Sequence, residues 1–249
     1  MAGVSFVNSL SGIGDDMPED TLSCDHRNLA STQTRNPRML LLTGFQPFGG
    51  AEINPSAGVV EALLADPPAG IDLAAMVLPV ETGVAAETLL AEIDRSGADT
   101  VVMLGEARGR PVISIEQVAV NLLDFSMPDN AGNRIEDRPI VAGGPDAVFS
   151  TLPVRRLVEG LREVGIPVER SLSAGTYLCN EISYRVLERH RTRGTDGLPG
   201  LRAGFVHLPS LPCQASTGTG ASPSMSLDLE IEAVRRIVTV LGGNGSTIG

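Results

Sequence analysis

The stretch Ser171-Leu-Ser-Ala-Gly-Thr-Tyr-Leu-Cys-Asn180 runs directly into Glu181-Ile-Ser-Tyr-Arg-Val-Leu-Glu-Arg-His190. Its first half predicts a buried strand that ends in a turn of small residues. Its second half predicts a helix with Ile182 and Val186 on the inner face. Cys179 then lies on the first helical turn, where free backbone N–H groups and the helix dipole lower the pKa of a thiol. This position suits a nucleophile, although a free cysteine can equally be a small buried apolar residue.

On both sides of this stretch, apolar runs typical of strands alternate with amphipathic segments typical of helices. Strands are predicted at 39–43, 71–80, 99–104 and 203–209, and an extended segment at 112–123. Helices are predicted to begin at Asn54, at Thr82, at residue 152 and at Ser226, where capping residues or periodic apolar residues occur. The alternation predicts an α/β fold, with a mostly parallel central sheet and helices on both faces in a three-layer α/β/α domain.

The same pattern predicts the domain organisation. Residues 1–38 are rich in Ser, Asn, Asp, Gly and Thr without apolar periodicity, which is typical of a disordered extension. We expect one folded domain over 39–241 and a flexible tail over 242–249. Cys24 and His26 lie in the extension and are too few to indicate a metal site.

Composition excludes several classes of function. The formal charge is −11, from 19 basic and 30 acidic residues, so binding to a nucleic-acid backbone is not expected. No apolar run is long enough to predict a membrane span. The three cysteines are widely spaced and form neither a disulfide framework nor a zinc pattern. These features favour a reduced, cytoplasmic setting and a protein without a metal or another cofactor.

Three residues suggest a catalytic group. In open α/β sheets, reactive side chains gather beyond the carboxyl ends of strands. Cys179 and His207 both follow predicted strands, and strands that are neighbours, about 4.8 Å apart, would bring the thiol and the imidazole within hydrogen-bonding reach. Glu116 lies within an apolar segment and is either surface-facing or held in a site. In the second case it would orient His207, completing a nucleophile, base and orienting group.

The loop Gly44–Gly50 contains two of the six phenylalanines of the chain, Phe45 and Phe48. Their place above a strand end suggests a small apolar pocket, or else a plug at the end of the core. A phosphate-binding loop is a weaker alternative, because the glycine spacing matches neither known nucleotide motif.

Several sequence blocks occur together in one order. They are Thr43-Gly-Phe-Gln-Pro-Phe-Gly-Gly50 with Asn54-Pro55, Gly109-Arg110, Ile115-Glu116 with Ala119-Val-Asn121, Pro128-Asp-Asn130, Phe149-Ser-Thr-Leu-Pro153, Gly165-Ile-Pro167, Ala174-Gly-Thr-Tyr-Leu-Cys-Asn180 and Gly204-Phe-Val-His-Leu-Pro209. In this order they resemble pyroglutamyl-peptidase I, a family of cytosolic cysteine exopeptidases. The resemblance covers the chain from Met39 to about Leu241. It implies a single α/β/α domain, a homotetramer, and catalytic roles for Cys179, His207 and Glu116.

By the same resemblance, the substrate is a peptide whose N-terminal residue is closed into a 5-oxoproline lactam. The family's substrate slot falls on Phe45, Phe48, Asn54, Met127, Tyr177 and Leu178. The backbone near Glu106 is expected to meet the ring amide. Cys179 is expected to form an acyl-enzyme that water then hydrolyses, with its own backbone N–H helping to hold the oxyanion.

The sequence departs from the family pattern at a few positions. Ser126 stands where many members carry an arginine thought to assist the oxyanion, Gln117 where a basic residue is common, and Cys213 where a glutamate is common. Ser126 favours an alternative in which the protein binds pyroglutamyl peptides with little or no turnover. A further alternative keeps the three catalytic residues but acts on another small amide.

Overall fold

The central sheet determines where the chemistry-bearing residues lie. The computed structural model describes residues 39–193, 200–216 and 222–243. Its strands are β1 (Met39–Phe45), β2 (Asp72–Leu78), β3 (Thr100–Glu106), β4 (Ile113–Glu116), β5 (Val118–Val120), β6 (Ala147–Phe149), β7 (Val168–Ser171) and β8 (Arg202–Leu208). Its helices are α1 (Pro55–Ala65), α2 (Val84–Ser96), α3 (Val154–Glu163), α4 (Leu178–Arg193), α5 (Pro212–Ala215) and α6 (Leu227–Gly242).

Six of these strands form the sheet, in the order β2-β1-β3-β8-β4-β7, and β5 pairs with β6 in a separate antiparallel ladder. Neighbouring strands in the sheet are parallel, except that β4 runs antiparallel to β8. Strands β4 and β7 therefore run opposite to the other four. The predicted α/β fold with a mostly parallel sheet is confirmed.

Two hydrophobic cores lie on the two faces of the sheet, because successive side chains of a strand point to opposite faces. In β1, Leu40 and Leu42 belong to one core and Leu41 to the other. Helices α1, α3 and α6 cover the first core, while α2 and α4 cover the second. The continuous apolar run of β3 is buried at every residue, as a strand covered on both faces requires.

The strand predicted at the start of the Ser171–Asn180 stretch is wrong. Strand β7 ends at Ser171, and only Val168 of its four residues is buried, because β7 is an edge strand of the sheet. A loop then leads to α4, which buries Ile182 and Val186 as predicted. The expectation that neighbouring strands present Cys179 and His207 is also wrong, because β4 separates β7 from β8.

The predicted helix starts have mixed outcomes. Asn54 caps α1 and Pro55 is its first residue, and Ser226 caps α6, as predicted. The expected cap of α2 at Thr82 is wrong: Gly83, with a φ of 76°, holds that position. Residues 1–38 and 244–249, with Cys24 and His26, lie outside the described residues. No helix in the described ranges is long and apolar enough to span a bilayer.

Candidate active site

The imidazole of His207 and the carboxylate of Glu116 form a buried pair. Ser114 of β4 lies opposite His207 of β8 in the antiparallel register, so the end of β4 passes beside the imidazole. Atom Nδ1 of His207 lies 2.8 Å from Oε1 of Glu116. The two residues are 4% and 2% exposed, so water does not screen the contact.

Arg110 also binds the carboxylate of Glu116. Its guanidinium donates to Oε1 of Glu116 at 2.7 Å and to the carbonyl oxygen of Ser173 at 2.9 Å. Burial opposes ionisation of Glu116, but hydrogen bonds with His207, Ser171 and Arg110 outweigh it, and the pKa of Glu116 is lowered. Burial also lowers the pKa of His207, and the charge of Glu116 offsets this only in part. At neutral pH the arrangement is therefore a carboxylate beside a neutral imidazole.

Helix α4 places Cys179 on its first turn, over strand β3. A β-carbon at Gly105 would lie 3.0 Å from Sγ of Cys179, so the thiol lies directly over this glycine. Gly105 is the register partner of His207 in the neighbouring strand β8. Side-chain alternation in β3 and β8 puts both positions on the sheet face that α2 and α4 cover. The thiol thus lies over β3 and the imidazole is on the neighbouring strand β8, on the same face of the sheet. The sequence did not predict that a helix would place Cys179 over β3.

The expectation of a lowered pKa for Cys179 is wrong. The pKa of the Cys179 thiol is raised to about 12, mainly by burial and in part by the negative charge of Glu116. The backbone N–H of Cys179 and the charge of Arg110 act in the opposite direction but are weaker. Removal from water therefore outweighs the helix terminus, and the resting group is a neutral thiol.

Two buried polar residues that sequence reasoning missed fix the start of α4. The amide of Asn180 bonds both backbone groups of Val120, accepting and donating at 2.9 Å each. The carboxylate of Glu181 accepts from the hydroxyl of Thr82 at 2.8 Å and from the N–H of Gly83 at 3.1 Å. Their only signal in the sequence is that two polar residues directly follow the cysteine.

A narrow slot opens beside the thiol. Its lining residues are Phe45, Phe48, Asn54, Val80, Glu106, Tyr177, Leu178 and Cys179. Five of the six predicted slot residues are brought together there. The sixth, Met127, is not among the lining residues. It is half-buried, and its sulfur would lie 3.2 Å from a β-carbon at Gly49. Ser126 is exposed.

Three of the eight lining residues are aromatic, and the slot is nearly closed. The slot has a volume of about 20 Å³, close to the room that one water molecule needs. The ring centroids of Phe48 and Tyr177 are 6.3 Å apart, and Phe125 packs edge-on against Tyr177 at 4.6 Å. The Tyr177 hydroxyl donates to the carbonyl oxygen of Pro128 at 3.1 Å, and burial raises its pKa to about 12, so it stays neutral.

Asn54, which lines the slot, connects the loop of Phe45 and Phe48 to the start of α1. Its side-chain oxygen accepts from the backbone N–H of Ser56 at 3.1 Å, and its amide donates to the carbonyl of Gln46 at 3.0 Å. The Ser56 hydroxyl in turn accepts from the N–H of Phe45 at 2.9 Å. The start of α1 and the Phe45–Phe48 loop are therefore tied together.

A larger cavity of about 690 Å³ adjoins the slot and shares Glu106 with it. Its walls come from residues 49–53, from Glu106 at the end of β3 and Arg108 after it, from Ser210 and residues 213–215 after β8, and from Ser222. Arg108 stands at the boundary, because its guanidinium lies 4.7 Å from the centroid of Phe48 and donates to that residue's carbonyl at 3.1 Å.

Comparison with known proteins identifies similar peptidases. The model of the pyroglutamyl peptidase family matches residues 38–242. The chain is 44% identical to a pyrrolidone-carboxylate peptidase of Chromobacterium violaceum over 201 residues, which are 81% of this chain and 91% of that protein. With the corresponding protein of Pyrococcus furiosus it shares 41% identity over 204 residues, 81% of this chain and 96% of the relative.

Solved structures agree with these relatives. Pyrrolidone carboxyl peptidase from Fervidobacterium islandicum superposes with a TM-score of 0.77 at 40% identity, covering 82% of this chain and 98% of that one. Pyroglutamyl peptidase I from Bacillus amyloliquefaciens gives 0.78 at 31% identity, covering 85% and 98%. The matched segment contains the whole sheet, the slot and the buried histidine–glutamate pair. The chain therefore belongs to the pyroglutamyl peptidase family of cysteine peptidases.

Proposed function

We propose that the protein is a cysteine exopeptidase that removes an N-terminal pyroglutamyl residue from peptides. The observation that carries this proposal is that the aromatic slot has Cys179 in its wall. The thiol lies on the same sheet face as the buried His207–Glu116 pair. A pocket for a small ring is thus combined with a nucleophile and a base. The similarity to peptidases along the whole domain favours catalysis over binding alone.

The slot suits a lactam because cyclisation removes the positive charge of a peptide N-terminus. Apolar walls of Phe45, Phe48 and Tyr177 can then enclose the ring without a carboxylate that binds an amine. Glu106 lines the slot, and we assign its backbone groups to hydrogen bonds with the ring amide. Because the slot has a volume of only about 20 Å³, the ring enters as Phe48 and Tyr177 move apart.

Acylation begins from a neutral thiol and a neutral imidazole, as the raised pKa of Cys179 and the lowered pKa of His207 require. Nδ1 of His207 faces Glu116, which leaves Nε2 to take the thiol proton while Sγ bonds to the substrate carbonyl carbon. The carboxylate of Glu116 stabilises the imidazolium that forms. His207 thus acts as a general base that deprotonates Cys179 during the attack, and no thiolate is needed beforehand.

The tetrahedral intermediate carries its negative charge on the former carbonyl oxygen. The N–H of Cys179 lies in the first turn of α4, where backbone N–H groups have no acceptor within the helix, and we assign it to this oxyanion. One such donor lowers the barrier by about 3 kcal/mol. The carbon–nitrogen bond then breaks, and His207 gives its proton to the departing amine. Water, deprotonated by His207, cleaves the thioester and restores the Cys179 thiol.

A pair of fluorogenic substrates tests this function. The purified protein is expected to release the fluorophore from a pyroglutamyl amide and to leave the prolyl amide intact. The two substrates differ in the ring carbonyl, and without that carbonyl the ring nitrogen is a charged amine at neutral pH. Equal rates on both would exclude a slot specific for the lactam.

We also propose a cytoplasmic location and a homotetramer, both from the family resemblance. The large exposed side chains of Phe149 and Leu172, at 67% and 64% exposure, are available for contacts between subunits. Light scattering of the purified protein would give the mass of the assembly directly, to compare with 26.0 kDa for one chain.

A further inference from the structure

A hairpin formed by residues 123–138 lies outside the central sheet and contacts the slot. At its base, Leu123 and Arg138 form an antiparallel bridge. Further along, the N–H of Phe125 donates to the carbonyl oxygen of Ile135 at 2.7 Å. We call residues 128–130 the hairpin tip. The hydrogen bonds of this tip connect two walls of the slot that are far apart in the chain.

Each end of the hairpin tip is bonded to a different wall. At one end, the hydroxyl of Tyr177 donates to the carbonyl oxygen of Pro128 at 3.1 Å. At the other end, the amide of Asn130 donates to the carbonyl oxygen of Pro47, the residue before Phe48, at 2.9 Å. The rings of Tyr177 and Phe48, whose centroids are 6.3 Å apart, are therefore linked through three consecutive residues.

The buried residue Asp129 fixes the conformation of the hairpin tip. Its carboxylate accepts from the N–H of Asn133 at 2.8 Å and from the N–H of Thr82 at 2.9 Å. Burial opposes ionisation of Asp129, but these hydrogen bonds outweigh it, and the pKa of Asp129 is lowered. The N–H of Asn130 donates to the carbonyl oxygen of Val80, another lining residue of the slot, at 2.9 Å. The tip is thus fixed both internally and to a third wall.

The two aromatic walls are themselves well ordered. The carbonyl oxygen of Phe48 accepts from Arg108 at 3.1 Å, and the guanidinium of Arg108 stacks on the Phe48 ring at 4.7 Å. Phe125, which belongs to the hairpin, packs edge-on against Tyr177 at 4.6 Å. A change in the position of the hairpin tip is therefore passed on to both rings.

We infer that the hairpin tip sets the width of the slot and so restricts the substrate to a five-membered lactam. The inference rests on the proposed function and adds to it the groups that determine ring size. Because the slot has a volume of only about 20 Å³, its walls must part to admit a ring, and the tip limits how far they part. Asn130 is a positioning residue, since it acts through Pro47.

Two fluorogenic amides that differ by one ring methylene test the inference. One carries 5-oxoproline and the other carries the corresponding six-membered lactam. An extra methylene in a close-fitting pocket is discriminated by about 10- to 200-fold, so we expect the unmodified protein to favour the five-membered ring about fiftyfold in kcat/KM. Equal kcat/KM for the two rings would overturn the inference.

Two substitutions each release one end of the hairpin tip. Tyr177→Phe removes the hydroxyl and keeps the ring, and Asn130→Ala removes the amide. Each is expected to lower the preference for the five-membered ring about tenfold. The loss should come from a higher KM for that ring, with kcat changed by less than about twofold, because neither substitution alters Cys179 or His207. A preference that both variants retain would contradict the inference.

The double variant distinguishes one linking element from two separate supports. A link is lost when either end is released, so Tyr177→Phe/Asn130→Ala is expected to lower the preference by no more than about threefold beyond either single variant. Independent contacts would instead add in free energy, and the preference would fall about a hundredfold in total. That larger fall would overturn the inference.

The matched controls are Tyr184→Phe and Arg134→Ala. The hydroxyl of Tyr184 also donates to a proline carbonyl, that of Pro145, at 2.7 Å, but Tyr184 does not line the slot. Arg134 is an exposed residue of the same hairpin. Both variants should retain the ring preference of the unmodified protein, whatever their melting temperatures. A tenfold loss in the controls as well would mean that general loosening, and not the hairpin tip, determines the preference.

Binding to the Cys179→Ser variant separates this inference from the proposed function. Calorimetry with peptides that carry either ring gives two dissociation constants, whose ratio should fall about tenfold when Asn130→Ala is added. If the unmodified protein cleaves neither amide, the proposed function fails, and this ratio still tests the hairpin tip. If it cleaves the five-membered lactam and the ratio does not change, the inference alone is overturned. Absence of both cleavage and binding would overturn both.

Discussion

Glu116 receives His207 and Arg110 on the same carboxylate oxygen, Oε1, at 2.8 and 2.7 Å. Its other oxygen is buried and has no hydrogen-bond partner among the described residues. The histidine is therefore held by a carboxylate that an arginine keeps ionised. Arg110 acts as a positioning residue, because it reaches His207 through the carboxylate of Glu116.

Replacing Arg110 with methionine should change the pH profile. The charge of Arg110 lowers the pKa of His207, which burial already lowers, so its removal raises that pKa. Because His207 must be neutral to accept the thiol proton, the acid limb of kcat/KM is expected to move to higher pH. Arg95→Met, at an exposed ion pair with Glu92, is the matched control and should leave the limb in place. An unmoved limb in Arg110→Met would contradict this role.

Exchanging sulfur for oxygen at residue 179 should abolish turnover. Cys179→Ser retains the size of the side chain but replaces the thiol with a much weaker nucleophile at neutral pH. The fluorogenic pyroglutamyl amide is expected to report a loss of several orders of magnitude, on the order of 10³-fold or more. Cys24→Ser, the same exchange outside the catalytic domain, should retain the rate. Loss of activity in Cys24→Ser alone would show that the wrong thiol has been assigned.

The bond between Thr82 and Glu181 should contribute to both stability and substrate binding. Thr82→Val removes the hydroxyl that satisfies Oε2 of Glu181, a fully buried residue. We expect about 1–3 kcal/mol lower unfolding free energy in urea. KM should rise as well, because the start of α4 carries Tyr177 and Leu178 of the slot. Thr239→Val, at an exposed position of α6, is the control and should change neither quantity.

The stability of the fold should fall as pH rises, because of Glu230. This residue is fully buried in α6, and burial raises its pKa to about 9, with a further contribution from the charge of Glu106. The folded protein then retains a proton that the unfolded chain has released. Each pH unit between about 5 and 8 thus costs on the order of 1 kcal/mol.

The variant Glu230→Gln should lose this dependence, as urea unfolding at a series of pH values would show. Its control is Glu232→Gln, in the same helix, whose carboxylate pairs with Arg236 at 2.7 Å near the surface. If the difference in unfolding free energy between Glu230→Gln and the unmodified protein is the same at pH 5 and pH 8, Glu230 does not hold its proton.

The sequence predicted those features that depend on residues close together in the chain. Strand β1, the capped start of α1 and the inner face of α4 follow from local periodicity and caps, and the structure has them. The likeness of ordered blocks predicted the family. Periodicity, however, contains no information on the direction or the order of strands. The sequence therefore could not predict that β4 and β7 run in the opposite direction, or that β4 separates β7 from β8.

Features that depend on contacts between distant parts of the chain were missed for the same reason. Thr82 is a residue type that is common at helix N-caps, but its hydroxyl donates a hydrogen bond to Glu181 of another helix. The position of Cys179 on a helix start suggested a lowered pKa, but the extent of its burial depends on the packed sheet. Met127 is far from the slot residues along the chain, and its side chain packs at Gly49, which is not a residue of the slot wall.

The absence of a side chain at Gly105 has a consequence for how this family can vary. A methyl group at that position would lie 2.7 Å from the ring of Phe205 and 3.0 Å from the sulfur of Cys179. The buried ring of Phe205 would have to shift, and the thiol of Cys179 would have to move with it or give way. A single alanine at position 105 would therefore disturb the nucleophile although Cys179, His207 and Glu116 are all retained. The presence of these three residues in a sequence thus does not by itself establish catalytic activity.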